Sequence, residues 1–384
     1  MARLLIMSFS KLASDPRVDR QIDFLRERHD IVAAGLAPPR LQVDEFIDIS
    51  TPARRKLGRL LGLARLLTRR YEDVYWKHPT NIAVLERLRH VRADAVLAND
   101  LAALPIALRL GTPVVFDAHE HASSTQADRL LWRLIIGPYV RWQCRHYIPK
   151  VSAMMSQGQE QADAYLRETG VRATVVTNAP RYHDLEATPV HRPVRILHHG
   201  GAQGGRGLEE MIRLGDLLDE RFTLDFVLVE NWPGYRDRLI RLAKHNPRVR
   251  FPQPQPMHAL VRMANEYDIG LYSLPPVNFN RRSAIPNKLF EFIQARLCVV
   301  IGPSPEMARI VRKYGCGVVA DDFAPETLAE VLNALTDSDI AAFKRASDVA
   351  ARDLSAEKNA ELIVGAVEQA LAGPAPRGET DTRN

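Results

Sequence analysis

Short apolar runs of β character alternate with helical stretches along most of the chain, and the alternation stops once and then restarts. The candidate strands of the first series are residues 3–9, 30–36, 93–99, 112–118 and 173–178, with helical stretches at 18–28, 101–110, 126–147 and 158–168. Apolar strands separated by helices pair side by side through crossover connections, which gives βαβ units and a parallel sheet covered on both faces. Residues 179–195 break the pattern: Pro180, Pro189 and Pro193 fall there with no apolar period, which reads as a linker. The alternation resumes with strands at 194–200, 223–229, 248–251, 267–273, 297–302 and 316–320, and ends in helices from about 325 to 372. The expected class is α/β with two Rossmann-like domains, residues 1–185 and 186–350. A C-terminal helix at 351–372 packs back on the first domain, and a polar tail at 373–384 is disordered. Ligands of such sheets bind beyond the carboxyl ends of the strands, so the site is expected in a central cleft that the two domains face.

At 384 residues, 46% hydrophobic and 26% charged, the chain suits two ordinary globular cores. No apolar run approaches the roughly 18 residues of a membrane span. The opening MARLLIMSFSK reads as a first strand, because its apolar stretch is too short for a signal peptide and no small-residue cleavage pattern follows. Cys144, Cys298 and Cys316 have no paired spacing, which indicates neither a zinc site nor a disulfide framework and fits a cytoplasmic protein. The net charge of +6 is no nucleic-acid signature; it suits anionic substrates or an anionic membrane. That charge concentrates in ARRKLGRLLGLARLLTRR, residues 53–70, where Leu60, Leu63 and Leu67 share a helical face and Leu61 and Leu66 do not. Two readings follow: a surface helix packed on a sheet, or a peripheral contact of residues 54–70 with anionic lipid.

Two turns of the second half invite an anion. The strand at 194–200 runs into HHGGAQGGRGLEEM, residues 198–211, a glycine-rich turn from Gly200 and Gly201 onward into a helix expected to begin near Arg206. Such turns let backbone N–H groups approach a phosphate, and Arg206 adds a fork of donors; the glycines are also compatible with nothing more than a tight turn. The second is SAIPNKLFEFI, residues 283–293. Pro286 suits a first helical turn, so Lys288 and Glu291 share a face at i, i+3, while Leu289, Phe292 and Ile293 face the core. The start of that helix, at Asn287, Lys288 and Leu289, offers backbone donors beside a cation. Glu291 is either dipole compensation or a carboxylate able to accept from both hydroxyls of a ribose. In the first half, His119 ends an apolar strand with Asp117, Glu120 and His121 around it. Neighbours on a strand point opposite ways, which does not suit a metal; a structural histidine and a sugar- or phosphate-contacting one both remain. Asp321-Asp322 reads as a loop with a helix cap. Asp15 and Arg17, beside Pro16 in the loop after the first strand, are acceptor-side candidates or part of a solvated loop.

The segments RGLEEM, YDIGLYSL, IPNKLFEFIQARLCVVIGPSPEMARIVRKYGCGVV and PVVFDAHEH together resemble family 4 glycosyltransferases of the GT-B fold, of the bacterial cell-surface polysaccharide type. The resemblance spans about residues 3 to 372 and is strongest over 196–335. It implies a retaining transfer from a nucleotide-sugar held by the second domain to a glycan or lipid-linked acceptor held by the first, with no metal or other cofactor. The protein would then be cytoplasmic, either free or peripheral on the inner membrane face. By the same resemblance Arg206 stands for a phosphate-binding lysine, and Lys288 with the neighbouring backbone faces the phosphates. Glu291 is the second, ribose-binding glutamate of an E-x7-E motif, and His119 is the catalytic-site histidine near the transferred sugar. Ser283 occupies the position of the first glutamate, Gly201 that of a phosphate-binding arginine, and the loop 8–21 lacks the family's paired glycines. Those departures support an alternative from another class, a binding or scaffold subunit without turnover; a sugar-nucleotide epimerase is the remaining option.

Overall fold

The computed structural model describes residues 1–51 and 56–373, with backbone only for 56–60. The tail at 374–384 and Arg54 and Arg55 therefore lie outside the described residues. Contacts divide the chain into two compact units. One comprises Met1–Thr177, Asn278–Asn280 and the chain from Asn359; the other comprises Asn178–Val277 and Arg281–Lys358.

The first unit is built on seven strands, β1 (Arg3–Met7), β2 (Asp30–Gly35), β3 (Glu45–Asp48), β4 (Ala95–Asn99), β5 (Val114–Ala118), β6 (Ala153–Ser156) and β7 (Thr174–Val175). Their order across the sheet is β3-β2-β1-β4-β5-β6-β7, and every pairing is parallel. β1 shows why both faces are covered: Leu5 and Met7 enter one core with Val96 and Phe116, while Leu4 and Ile6 enter the other with Ile31 and Val115. Ile363, Val364 and Val367 of the helix Ala356–Ala372 complete that second core.

The other unit holds β8 (Val194–Ala202), β9 (Phe222–Glu230), β10 (Val249–Arg250), β11 (Ile269–Tyr272), β12 (Cys298–Ile301) and β13 (Gly317–Val319), in the order β10-β9-β8-β11-β12-β13, again all parallel. In both sheets the order reverses beside the first strand, between β1 and β4 and between β8 and β11, which opens a ligand position at the carboxyl ends there.

Several expectations change. The segment 179–195 is a strap bound to the second unit, not a loose linker. His183 N–H donates to Gln294 at 3.0 Å, Lys344 Nζ donates to Thr188 at 2.8 Å, and the Asp268 carboxylate, buried against Lys344 at 3.0 Å, accepts from the His191 N–H at 3.2 Å. The unit therefore begins at Asn178 where 186 was expected. The stretch 126–147 is not one helix: a π-turn covers Trp132–Ile136, closed by Gly137 N–H on Trp132 C=O, and an α-helix follows over Gly137–Tyr147. Pro138 cannot donate to the preceding turn, and a widened turn absorbs the defect. The strand β3 was missed because it is a short edge strand exposed at both ends, and β6 because Ala-Met-Met-Ser has little β signature. Asp322 is not the cap residue but accepts at 2.8 Å from the N–H of Ala324, which caps the helix Pro325–Ala334.

Asp15 and Arg17 serve the fold. Asp15 caps the helix Pro16–Leu25, accepting from the Arg17 and Val18 N–H groups. The Arg17 guanidinium, 6% exposed, grips Asp117 through Nε at 2.6 Å and Nη2 at 2.5 Å, and donates through Nη1 to Val176 C=O at 2.8 Å. Burial alone would raise the Asp117 carboxyl, but the charge and hydrogen bonds of Arg17 outweigh it and hold it below the usual carboxylate range. The donors expected to meet an acceptor are thus spent inside the unit. Arg17→Ala leaves Asp117 in the core without its counter-charge, with the Gln21 amide as its remaining strong donor at 2.5 Å, so chemical denaturation is expected to show a loss of about 3–5 kcal/mol. A loss under about 1 kcal/mol would return Arg17 to the surface of a binding site.

Candidate functional site

At the switch point of the second unit, β8 ends on Gly200, whose φ of 140° disfavours a side chain. A Cβ there would stand 2.5 Å from Lys288 Cε and 2.7 Å from its Nζ, so the glycine makes the room the lysine occupies. Lys288 reaches this point from the first turn of the helix Asn287–Gln294, capped by Pro286 in an extended conformation, so Pro286 precedes the helix and does not form its first residue. The ammonium lies 5.6 Å from the centre of the Tyr272 ring. Burial, helped by the nearby Arg206 and opposed by Glu291, lowers its pKa to about 8. Arg206 stands just before Gly207, a left-handed residue with φ of 68° that caps the helix Leu208–Leu217, so that helix starts two residues later than expected. A third cation joins them: Arg281 donates to Gly205 C=O at 3.0 Å, and Arg206 and Arg281 both act on the buried Tyr272 hydroxyl. Burial of Lys288 near like charge, at a helix start, is the electrostatic pattern of an anion site.

β8 also carries His198 and His199 on opposite faces of the sheet. His198 donates from Nδ1 to Leu271 C=O at 3.0 Å, and burial, with Lys288 next in importance, takes its pKa to about 3. His199 packs edge-on against Phe292, with ring centroids 5.1 Å apart. Its Nε2 lies 3.5 Å from Glu291 Oε2, but burial and Lys288 keep the imidazole far below its ordinary pKa, so the contact is not an ion pair. That buried nitrogen makes no hydrogen bond.

The other expected residues of this unit fall variously. Glu291 is close enough to Lys288 and His199 to join the cluster. Ser283 is buried, 1% exposed. A Cβ on Gly201 would meet the Asn231 amide at 2.6 Å, on the side away from Lys288. Leu289 is corrected: its side chain is core, and its N–H already donates to Pro286 C=O at 3.1 Å, which leaves the Asn287 and Lys288 amides as the first-turn donors. Sequence reasoning missed Arg281, Tyr272 and the histidine pair. Adjacent histidines closing an apolar strand just before a glycine turn were the available signal.

In the first unit His119 follows β5 at the carboxyl edge of the sheet. With the Asn99 amide oxygen facing the ring, Nε2 donates to it at 3.0 Å, and Nδ1 lies 3.5 Å from Asp100 Oδ2. Asp100 has φ of 63°, a strained conformation for a non-glycine residue that aims its carboxylate back at His119. Both line a cavity of about 790 Å³ with Phe9, Phe116, Trp132, Tyr139 and Tyr165. His121 lies in the loop after β5 but is buried, 7% exposed, with Nδ1 2.8 Å from Ser124 Oγ, Nε2 3.1 Å from Glu168 and the ring against Tyr165. Among the described residues no group of three His, Cys, Asp or Glu side chains is placed to hold a metal ion.

No family model matches the sequence, and no curated protein matches it. Solved structures do. The Anabaena protein Alr3699/HepE in complex with UDP-glucose superposes with a TM-score of 0.70 at 14% identity, covering 96% of this chain and 100% of that one. WaaG, a glycosyltransferase involved in lipopolysaccharide biosynthesis, gives 0.64 at 16% identity, covering 94% and 100%. An α,α-trehalose-phosphate synthase (UDP-forming) from Burkholderia xenovorans, in complex with glucose-6-phosphate, gives 0.65 at 12% identity, covering 96% and 100%. The chain therefore has the GT-B fold, that of these glycosyltransferases.

The Lys288 environment carries its own test. An unfolded lysine titrates near 10.5 and the folded one near 8, so the folded state bears the cost of a buried charge fully below pH 8 and sheds it as pH rises toward 10.5. Lys288→Met is expected to raise the melting midpoint at pH 7, with the gain over wild type shrinking between pH 8 and 10.5. A destabilised variant at pH 7 would mean that the ammonium is satisfied within the fold.

Proposed function

We propose that the protein transfers a hexosyl-type sugar from a nucleoside-diphosphate sugar to a glycan or lipid-linked acceptor, with retention and without a metal. The observation that carries this reading is the half-buried Lys288 crowded by Arg206 at the glycine turn, with Glu291 one turn further along the helix. A diphosphate there would relieve the like-charge crowding, and the first-turn amides of Asn287 and Lys288 would add donors. Glu291 would take the ribose hydroxyls. As the bond from sugar to phosphate breaks, negative charge grows on the departing diphosphate, and the cations stabilise that change most in the transition state. His198 and His199, held neutral, add no charge. The solved HepE complex with UDP-glucose supports the choice of donor class.

The first unit's cavity is the place for the acceptor, its aromatic walls taking apolar or sugar faces and Asp100 and His119 taking hydroxyls. We assign His119 to the reacting end. A cytoplasmic enzyme touching the inner membrane face fits a lipid-linked acceptor. Ser283 and Gly201, which depart from the family's donor motif, favour the second reading, a scaffold subunit without turnover.

Release of nucleoside diphosphate from a panel of UDP-, GDP-, ADP- and dTDP-sugars separates the two, since a scaffold releases none. Arg206→Ala and Lys288→Ala are each expected to weaken diphosphate binding by about 1–3 kcal/mol; unchanged affinity in both would remove the site. Turnover is expected to survive EDTA, and loss restored by a divalent ion would contradict the metal-free step.

The role of His119 is checked by single-turnover rates. His119→Ala is expected to keep diphosphate affinity within a few-fold and to lower kcat strongly, as for a contact made in the transition state. His121→Ala is expected instead to lower the melting midpoint. Near wild-type turnover in His119→Ala would take the residue off the catalytic list.

A further inference from the structure

Among the described residues of the helix Lys56–Leu67, three leucines face solvent. Leu61, Leu63 and Leu67 are 50%, 43% and 62% exposed. A second set lies on the segment around the π-turn, against which this helix packs: Leu130, Leu131, Leu134 and Ile136 are 61%, 73%, 64% and 40% exposed. Large apolar side chains gathered on one surface in this way mark a contact site. The π-turn explains the second set. Its one buried residue, Trp132, faces inward to line the cavity with His119, and the wider turn leaves its neighbours pointing out.

The surroundings of these leucines are predominantly cationic. Between Leu61 and Tyr71 the chain holds Arg65, Arg69 and Arg70 with no carboxylate, and between Arg129 and Tyr147 it holds Arg129, Arg133, Arg141 and Arg145, again with none. The nearest acids are engaged elsewhere: Asp128 accepts from the Asn278 amide at 3.2 Å, Asp73 pairs with Arg70 at 2.6 Å and Lys77 at 3.0 Å, and Glu72 lies 3.4 Å from His146. Arg69, Arg141 and Arg145 surround a hollow of about 530 Å³ floored by Tyr71 and Trp142, rings that lie 5.7 Å apart. Leucines in the middle, amphipathic rings beside them and guanidinium groups around them match a bilayer surface from acyl chain to phosphate.

We propose that Leu130, Leu131, Leu134 and Ile136, together with Leu63 and Leu67, form a docking surface for a bilayer containing anionic phospholipid. The π-turn leucines enter the acyl boundary and the arginines meet the headgroup phosphates. The basic helix is thus one half of a two-part surface, and its partner half also forms a wall of the cavity. An acceptor carried in the membrane would arrive beside Trp132. The surface belongs to the first unit alone, so the proposal stands apart from the transfer reading.

The test uses the full chain and vesicles of phosphatidylglycerol mixed with phosphatidylcholine. Wild type is expected to sediment with them at low salt, less at high salt, and not with pure phosphatidylcholine. Leu131→Asp with Leu134→Asp is expected to cut partition by about tenfold or more, with unchanged circular dichroism. Because the three native cysteines are buried, Leu131→Cys labels selectively with an environment-sensitive dye, whose emission is expected to shift to the blue on anionic vesicles. Undiminished partition of the double variant, or an unshifted dye on bound protein, overturns the proposal. So does a wild-type dimer that the double variant turns into a monomer, which would give the surface to a second copy of this chain.

Discussion

Lys288 holds an ammonium where the second unit gives it little water and places Arg206 near it. The surrounding structure can be understood as what makes that position possible. Gly200 supplies the space, because any side chain there would occupy the volume of the lysine stem. The extended Pro286 starts the helix at the level of the sheet edge, so the lysine rises from its first turn. The Tyr272 ring at the end of β11 offers a π-face near the charge. Below it Leu289, Phe290, Phe292 and Ile293 anchor the helix in a core shared with β11 and β12. Rigid apolar anchoring at one end and crowded positive charge at the other are what a preorganised anion site requires.

The first unit solves a different problem at the equivalent sheet position. Its buried charge is compensated, with Asp117 held by Arg17 and by Gln21 at 2.5 Å. That network fixes the end of β5 and so the residue after it, His119. Gln21 also bonds to Asn99, the residue that holds the His119 ring. Arg17 and Gln21 therefore act on the cavity through His119 and Asn99 rather than by touching a ligand. The cavity walls are aromatic and its charged residues acidic, whereas the second unit's site is cationic.

Much of this was legible in the residues. Alternating apolar runs identified eleven of the thirteen strands, since a parallel sheet buried on both faces demands continuous apolar sequence. Lys288, Glu291 and Arg206 were legible because helix starts and glycine turns have local signatures. The leucine stripe on the basic helix was visible too, but whether it faced a sheet or solvent depended on the neighbouring chain. What escaped was nonlocal. Arg281 matters through its approach to Gly205, 76 positions away in sequence, and Arg17 became a core residue through Asp117, 100 positions away. The π-turn was hidden because its cause, Pro138, sits inside a stretch that otherwise has helical character throughout. The burial of His121, a loop residue, was hidden because Tyr165 and Glu168 close around it from more than 40 positions away.

The central claim is that Lys288 is a crowded, poorly solvated cation whose charge a bound diphosphate stabilises. Titration calorimetry of the nucleoside diphosphate in buffers of different ionisation enthalpy measures this directly, because it counts the protons that accompany binding. At pH 9 the free lysine is mostly neutral and the bound one charged, so binding is expected to take up about one proton per nucleotide. That uptake should fade toward pH 7 and vanish in Lys288→Met. Binding at pH 9 with no proton uptake, or uptake that persists in Lys288→Met, would contradict the account.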